Sequence, residues 1–254
     1  MKRLLIVLVY FVMCQAVYAQ PPCTLQAGWV DWRPYQFEDK HLNLVGLDVE
    51  LLNAVAGILG CDVSWAKQPW ERLLLSVQGG SLDVMAGVSS TAERNIFGRY
   101  SKPYRLEERV LFILSKSAKK YNFTSLQDIS NSNFLVGINR GAFNGDKFSS
   151  LMKNPDFKDR VQVVSNEIQN FDKLLLGNRI DGFITDKVSG VKILNKNKLN
   201  SVIKIHPMHI YATKIHYLFS KKTVNSEFVN KFNQALSEYL NSEDYKIINE
   251  KYLR

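Results

Sequence analysis

The strongest constraint on the fold is an alternation of short apolar runs with amphipathic stretches, which occurs twice along the chain. Residues 25–30 read as a strand. Leu47, Leu51, Leu52, Val55, Ile58 and Leu59 then recur at helical spacing, and Gly60 ends that helix. Residues 61–65 read as the next strand. Pro69 can open a second helix at its first position, carrying Leu73, Leu74 and Val77 and closed by Gly79-Gly80, and residues 83–88 form a third strand. Strands separated by helices pair in parallel, with right-handed crossovers and helices covering the sheet. After an apolar run at 110–114 the pattern restarts, with strands at 134–138, 161–164 and 180–184 and helices at 143–152, 167–176 (capped near Gly177) and 187–194. A strand at 217–220 and two helices, 226–240 and 243–252, end the chain.

The expected architecture is therefore α/β, with two lobes that are each a mainly parallel sheet flanked by helices. No Pro/Gly/Ser-rich linker separates them, so two tight, strand-like crossings are expected near 114–117 and 208–214. The first lobe would comprise 20–114 plus 212–254 and the second 115–211. Two such lobes joined twice make a hinge-bending clamshell, with a cleft between the carboxyl ends of the strands.

Of 254 residues, 46% are hydrophobic and 22% charged, which excludes a largely disordered chain. The long uncharged apolar run, 4–14, is too short for a membrane span of roughly 20 residues. Lys2 and Arg3 precede it, and Val17-Tyr18-Ala19 follows as a small-x-small cleavage site, the pattern of a cleaved export signal over 1–19. Bulky Val12 and Met13 before Cys14 argue against a lipid anchor there. Export into an oxidising compartment leaves Cys23 and Cys61, each at the start of an expected strand. If those strands are parallel neighbours, the two sulfurs share one sheet edge and form a disulfide; two buried thiols are the alternative. No metal-ligand spacing occurs, and His206, His209 and His216 are read as surface or strand residues.

The formal charge of +9 falls to +7 once the signal is removed. Residues 115–210 alone carry +7, but their lysines are dispersed and not interleaved with aromatics, so no nucleic-acid groove is expected. A cationic face of this kind biases partners toward anionic surfaces or ligands.

The sharpest local signal is Ser89-Ser90-Thr91 with Arg94. It lies where a strand ends and a helix begins, so Thr91 is a candidate N-cap. Free N–H groups and a forked guanidinium together suit a carboxylate; an ordinary cap beside a surface arginine is the other reading.

Several ordered segments carry a resemblance. Gly28-Trp29-x-x-Trp32-x-Pro34-Tyr35-x-Phe37, Gly46-Leu47-Asp48-Val49-Glu50, Gly87-Val88-Ser89-Ser90-Thr91-Ala92-Glu93-Arg94 and Ser101-Lys102-Pro103-Tyr104 come first. Val136-Gly137-Ile138-x-x-Gly141, Arg179-Ile180-Asp181-Gly182 and Asp186 follow. This set resembles the family-3 bacterial extracellular solute-binding proteins, the amino-acid receptors of ABC importers, and covers nearly all of the chain beyond the signal. The resemblance implies the two-lobe periplasmic-binding-protein fold and a monomeric receptor in the periplasm. It would bind a small polar solute such as an amino acid, without cofactor, and hand it to importer membrane subunits. It implies that Gly87, Ser89 and Arg94, with Thr91, meet the ligand's carboxylate, that Asp186 meets its amino group, and that Trp32 and Trp70 face its side chain. Asn139, Arg140, Gly141 and Phe143 would supply the second lobe's wall. Three departures from the pattern stand out: Trp29 replaces an Asp common in receptors of basic amino acids, Ala142-Phe143 replaces small hydroxyl residues, and Arg140, beside Asn139 just before the Gly141 turn, is placed to meet an acidic side chain. An enzyme on the same scaffold, dehydratase-like, would need Asp31, Glu71 or Asp186 as acid or base. A receptor feeding a sensor is the third reading.

Overall fold

The computed structural model describes residues 23–176 and 179–253. The export signal expected over 1–19, and Gly177, lie outside the described residues. β1 (Cys23–Trp29) leads through the small pair β2 (Phe37–Glu38) and β3 (Leu44–Val45) into α1 (Leu47–Ile58), β4 (Cys61–Lys67) and α2 (Trp70–Gly79). β5 (Val84–Ser89), α3 (Ala92–Phe97) and β6 (Gly98–Tyr100) precede the long β7 (Arg105–Leu114). Then come α4 (Leu126–Ser130), β8 (Val136–Asn139), α5 (Asp146–Leu151), α6 (Pro155–Lys158), β9 (Val161–Val164) and α7 (Ile168–Leu175). They are followed by β10 (Gly182–Asp186), α8 (Lys187–Lys196), β11 (Ile203–Ile205), β12 (Tyr211–Ser220), α9 (Ser226–Tyr239) and α10 (Glu243–Leu253).

Local chemistry accounts for the boundaries. α1 buries Leu47, Leu51, Leu52 and Val55 on one face, as their spacing requires. Pro69 stands at the N-cap, so Trp70, one residue later than expected, opens α2. α5 begins only at Asp146, because Gly145 before it has φ 93°. The expected helix at 143–152 is shortened accordingly, and Phe143 lies on a loop.

Strands β4, β1 and β5 are parallel neighbours, as are β9, β8 and β10. Between these triplets run β12 and β7, antiparallel to each other, with β12 also paired to β5 and β7 to β10. The two lobes thus share one ten-stranded mixed sheet where two separate sheets were expected. Tyr211–Ile215 of β12 pairs with Arg109–Arg105 of β7 between the triplets. Beyond that stretch of β7, Leu111 and Ile113 enter one core with Phe134 and Phe157, while Phe112 and Leu114 enter another with Phe171 and Phe183. The apolar half of β7 is therefore buried with the second lobe. The first lobe's core gathers Leu25, Leu51, Val84, Tyr217 and Phe232.

Cys23 and Cys61 stand directly opposite in the parallel register of β1 and β4 and are disulfide-bonded, with Cα atoms 4.4 Å apart. The bridge spans 38 residues, for which the chain-entropy model gives a contribution of about 4 kcal/mol. Replacing both cysteines by serine is expected to lower the unfolding free energy by about 4 kcal/mol, read as a lower denaturant midpoint with an equal or steeper slope, because the unfolded chain is less constrained. An unchanged midpoint would refute the assignment of stability to the bridge.

Candidate functional site

A cavity opens between the lobes at the carboxyl ends of β5 and β8 and at the residues just past β9, 165–167. Trp32, Trp70, Gly87, Ser89 and Arg94 line it from the first lobe, and Asn139, Arg140 and Phe143 from the second. Thr91, Gly141 and Asp186 are absent from its wall; Thr91 and Gly141 bond to wall residues, whereas Asp186 bonds to Ser189 and Tyr35, which lie outside it.

Thr91 is the N-cap of α3, its Oγ1 accepting from the Arg94 N–H at 3.2 Å. The cap turns the Arg94 guanidinium inward, where it is 7% exposed. Nη1 donates to the Ser89 carbonyl and Nη2 to the Gly141 carbonyl, both at 3.0 Å. Burial lowers the arginine's pKa. Among the described residues no carboxylate is within salt-bridge distance of it. A buried cation that meets only carbonyl dipoles favours an anion in the adjoining cavity.

Gly141 has φ 71°, and its carbonyl also accepts from Trp70 Nε1 at 3.1 Å, joining the lobes at a second point. Trp32 packs edge-on against Trp70 (6.2 Å) and Tyr35 (5.0 Å). Gly87 has φ 80°, and a Cβ there would collide with the Trp32 ring. Its N–H donates to the Tyr104 hydroxyl at 2.9 Å, so this glycine makes room for the aromatic wall.

Asp186 ends β10 and caps α8: Oδ1 accepts from the Ser189 N–H at 2.7 Å and from the Tyr35 hydroxyl, across the cleft, at 3.1 Å. Oδ2 is buried and takes no hydrogen bond from the described residues. Burial, with the charge of Glu107 adding to it, pushes this carboxyl up to about 6.

Sequence reasoning missed three charged residues of the wall, Glu107, Arg109 and Glu167. The first two belong to a period-two row on β7, Arg105, Glu107 and Arg109, all on one face of the strand. Arg105 clasps Asp48 of α1 through Nε at 2.9 Å and Nη2 at 3.1 Å, and stacks on Tyr35 at 3.7 Å. Arg109 donates to Glu107 Oε1 at 2.9 Å and to Asn144 Oδ1 at 3.1 Å. The signal was present: three charges at alternate positions leading into an apolar strand. Glu167 accepts from the Ser189 hydroxyl at 2.6 Å and from the Thr185 hydroxyl. Burial of its carboxyl pushes it up to about 7. Of the acids considered for catalysis, Asp31 lines the cavity, whereas Glu71 is exposed and does not.

A family model described as bacterial extracellular solute-binding proteins, family 3, matches residues 26–254. The chain belongs to that family. It is 25% identical over 231 residues to a probable histidine-binding protein of Neisseria gonorrhoeae, covering 89% of this chain and 81% of that protein. An ancestral arginine-binding protein solved bound to arginine superposes with TM-score 0.77 at 26% identity, over 91% of this chain and 98% of the other. A cyclohexadienyl dehydratase of Pseudomonas aeruginosa matches 62% of this chain and 57% of its own length at 23% identity. The fold is that of the two-lobe amino-acid-binding proteins, and most of these relatives are binding proteins.

An unfolded Glu carboxyl titrates at about 4.3, below the folded value of about 7 for Glu167. Such a group contributes stability that is complete below its unfolded value and is lost as pH rises through its folded value. Asp186 acts with the same sign through about 6. The thermal midpoint is therefore expected to fall as pH rises from about 5 to about 7, with Glu167→Gln removing part of that slope. Calorimetry across this range checks it, and an equal slope in the variant would contradict the assignment.

Proposed function

We propose that this protein is a periplasmic receptor that closes on an amino acid or a related small zwitterion and delivers it to the membrane subunits of an ABC importer. The observation that carries this reading is the buried Arg94 guanidinium, without a carboxylate partner, facing the cavity between the lobes. A zwitterion entering a closing cleft loses water around both charges, so each needs a fixed partner. Arg94, with Ser89 and the Thr91-capped start of α3, serves the carboxylate. Asp186, with a buried oxygen that takes no hydrogen bond, serves the ammonium. Trp32, Trp70 and Phe143 enclose the ligand's side chain, with Asn139, Arg140 and the Gly141 turn opposite.

The hinge of this reading is the β7–β12 pair. The first lobe comprises the chain before Arg105 and after Ile215, and the second the stretch between the two crossings. The protein reaches the periplasm through the signal at 1–19, works as a monomer and makes or breaks no covalent bond. The histidine- and arginine-binding relatives support the ligand class.

Removing one member of a buried charge pair weakens binding by roughly 2–5 kcal/mol. Arg94→Met and Asp186→Asn are each expected to lose at least about tenfold in affinity with the fold retained. Arg99→Met is the control, since Arg99 lies outside the cavity wall and bonds to the Lys221 and Val224 carbonyls. The measurement is calorimetric titration with the amino acid that most raises the thermal midpoint of the mature protein. Wild-type affinity in Arg94→Met would end the amino-acid reading.

A further inference from the structure

We infer that Glu107 is a second receptor for the ligand's ammonium, which bridges Glu107 and Asp186 across the floor of the cleft; this rests on the amino-acid reading above. Glu107 is the third residue of β7, is 4% exposed and lines the cavity. Its Oε1 is engaged by Arg109 at 2.9 Å, while Oε2 takes no hydrogen bond from the described residues. Asp186 lies beside Arg109 in the β7–β10 register, and its buried Oδ2 also takes no hydrogen bond. Two carboxylates on neighbouring strands thus each keep an oxygen without a hydrogen bond from the described residues, Glu107 in the cavity wall and Asp186 buried outside it.

The two arginines beside them already have carboxylate partners, although the buried Arg105 Nη1 donates to none of the described residues. Arg105 is held by both oxygens of Asp48, and Arg109 spans Glu107 Oε1, Asn144 and the Ile184 carbonyl. Repulsion between the Glu107 and Asp186 carboxylates adds to burial in raising the Asp186 pKa, which a cation between them would relieve. A primary ammonium has three donors and no acceptor, and so suits two carboxylate oxygens at once. The charge of Glu107 also reaches Arg94, so one carboxylate adjoins both proposed ends of an α-amino acid. The expected consequence is discrimination: the cleft prefers an α-amino acid over the same acid with hydrogen in place of the ammonium.

The test uses the mature protein and the twenty standard L-amino acids in a thermal-shift screen. Titration then compares the strongest binder with its des-amino counterpart. Glu107→Gln should weaken the amino acid by at least about tenfold while leaving the des-amino acid within about threefold of its wild-type affinity. Arg94→Met should weaken both. Because Glu107→Gln leaves Arg109 without its carboxylate, the double variant Glu107→Gln/Arg109→Gln is measured beside it and should show the same selective loss. Equal weakening of both ligands in the double variant would mark Glu107 as structural and overturn the inference, as would unchanged amino-acid affinity. In either case the receptor reading stands, because an amino acid still binds. If no amino acid stabilises the wild type, the receptor reading fails and this inference fails with it.

Discussion

The structure depends on β7 crossing from one lobe to the other while keeping a row of charges buried. Arg105, Glu107 and Arg109 share one face of the strand, and Glu107 and Arg109 are each 4% exposed. Charges cannot lie there without partners, and removing one partner of such a pair typically costs about 3–5 kcal/mol. Each partner comes from a different place: Asp48 from α1, Glu107 from the row itself, and Asn144 from the loop before α5. The row therefore ties the first lobe's helix and the second lobe's loop to one strand. The cavity floor inherits its electrostatics from that tie.

The same geometry determines how the lobes meet. Tyr35 donates to Asp186, while Trp70 and Arg94 both donate to the Gly141 carbonyl, and Lys187 pairs with Glu108 at 2.8 Å on the surface. A neutral hydrogen bond contributes about 1 kcal/mol net and one to a charged group about 1.5–3 kcal/mol, while an exposed ion pair contributes about 1 kcal/mol or less. The lobes are thus held together by a few bonds of modest strength, in keeping with a hinge that opens. Two of those three hydrogen bonds across the cleft end on Arg94 or Asp186, the residues proposed to meet the ligand. Contacts that close the cleft and contacts that hold a solute share the same atoms, so closure and capture are energetically linked.

Much of this was legible in the chain. Cys23 and Cys61 both begin strands, which puts them in register once the strands are parallel neighbours, and Thr91 reads as a cap because Ser/Thr before a helical run has a local job. What was not legible has physical causes. The charged row on β7 was missed because residues 110–114 are apolar and read as a strand, while the preceding Arg-Leu-Glu-Glu-Arg has no apolar pattern and is explained only by Asp48 and Asn144 lying against it. Glu167 was missed for the same reason. Its carboxyl is enclosed by hydroxyls from Thr185 and Ser189, far along the chain and silent in any pattern. The shortened helix at α5 turns on one backbone angle, that of Gly145.

These misses share a direction. Local spacing locates elements, caps and the disulfide, but a buried charge is explained only by partners brought from elsewhere by the fold. The cavity holds three such charges that spacing did not mark, Glu107, Arg109 and Glu167, and one that it did, Arg94. Arg109 is neutralised by Glu107, and Glu167 is pushed toward its neutral form. That leaves Arg94 as the buried wall residue with no described carboxylate within salt-bridge distance, and Glu107 and Asp186 as carboxylates with an oxygen that takes no hydrogen bond from the described residues. A molecule complementary to this inventory carries one anionic and one cationic group a short distance apart, which is the description of an amino acid's main chain.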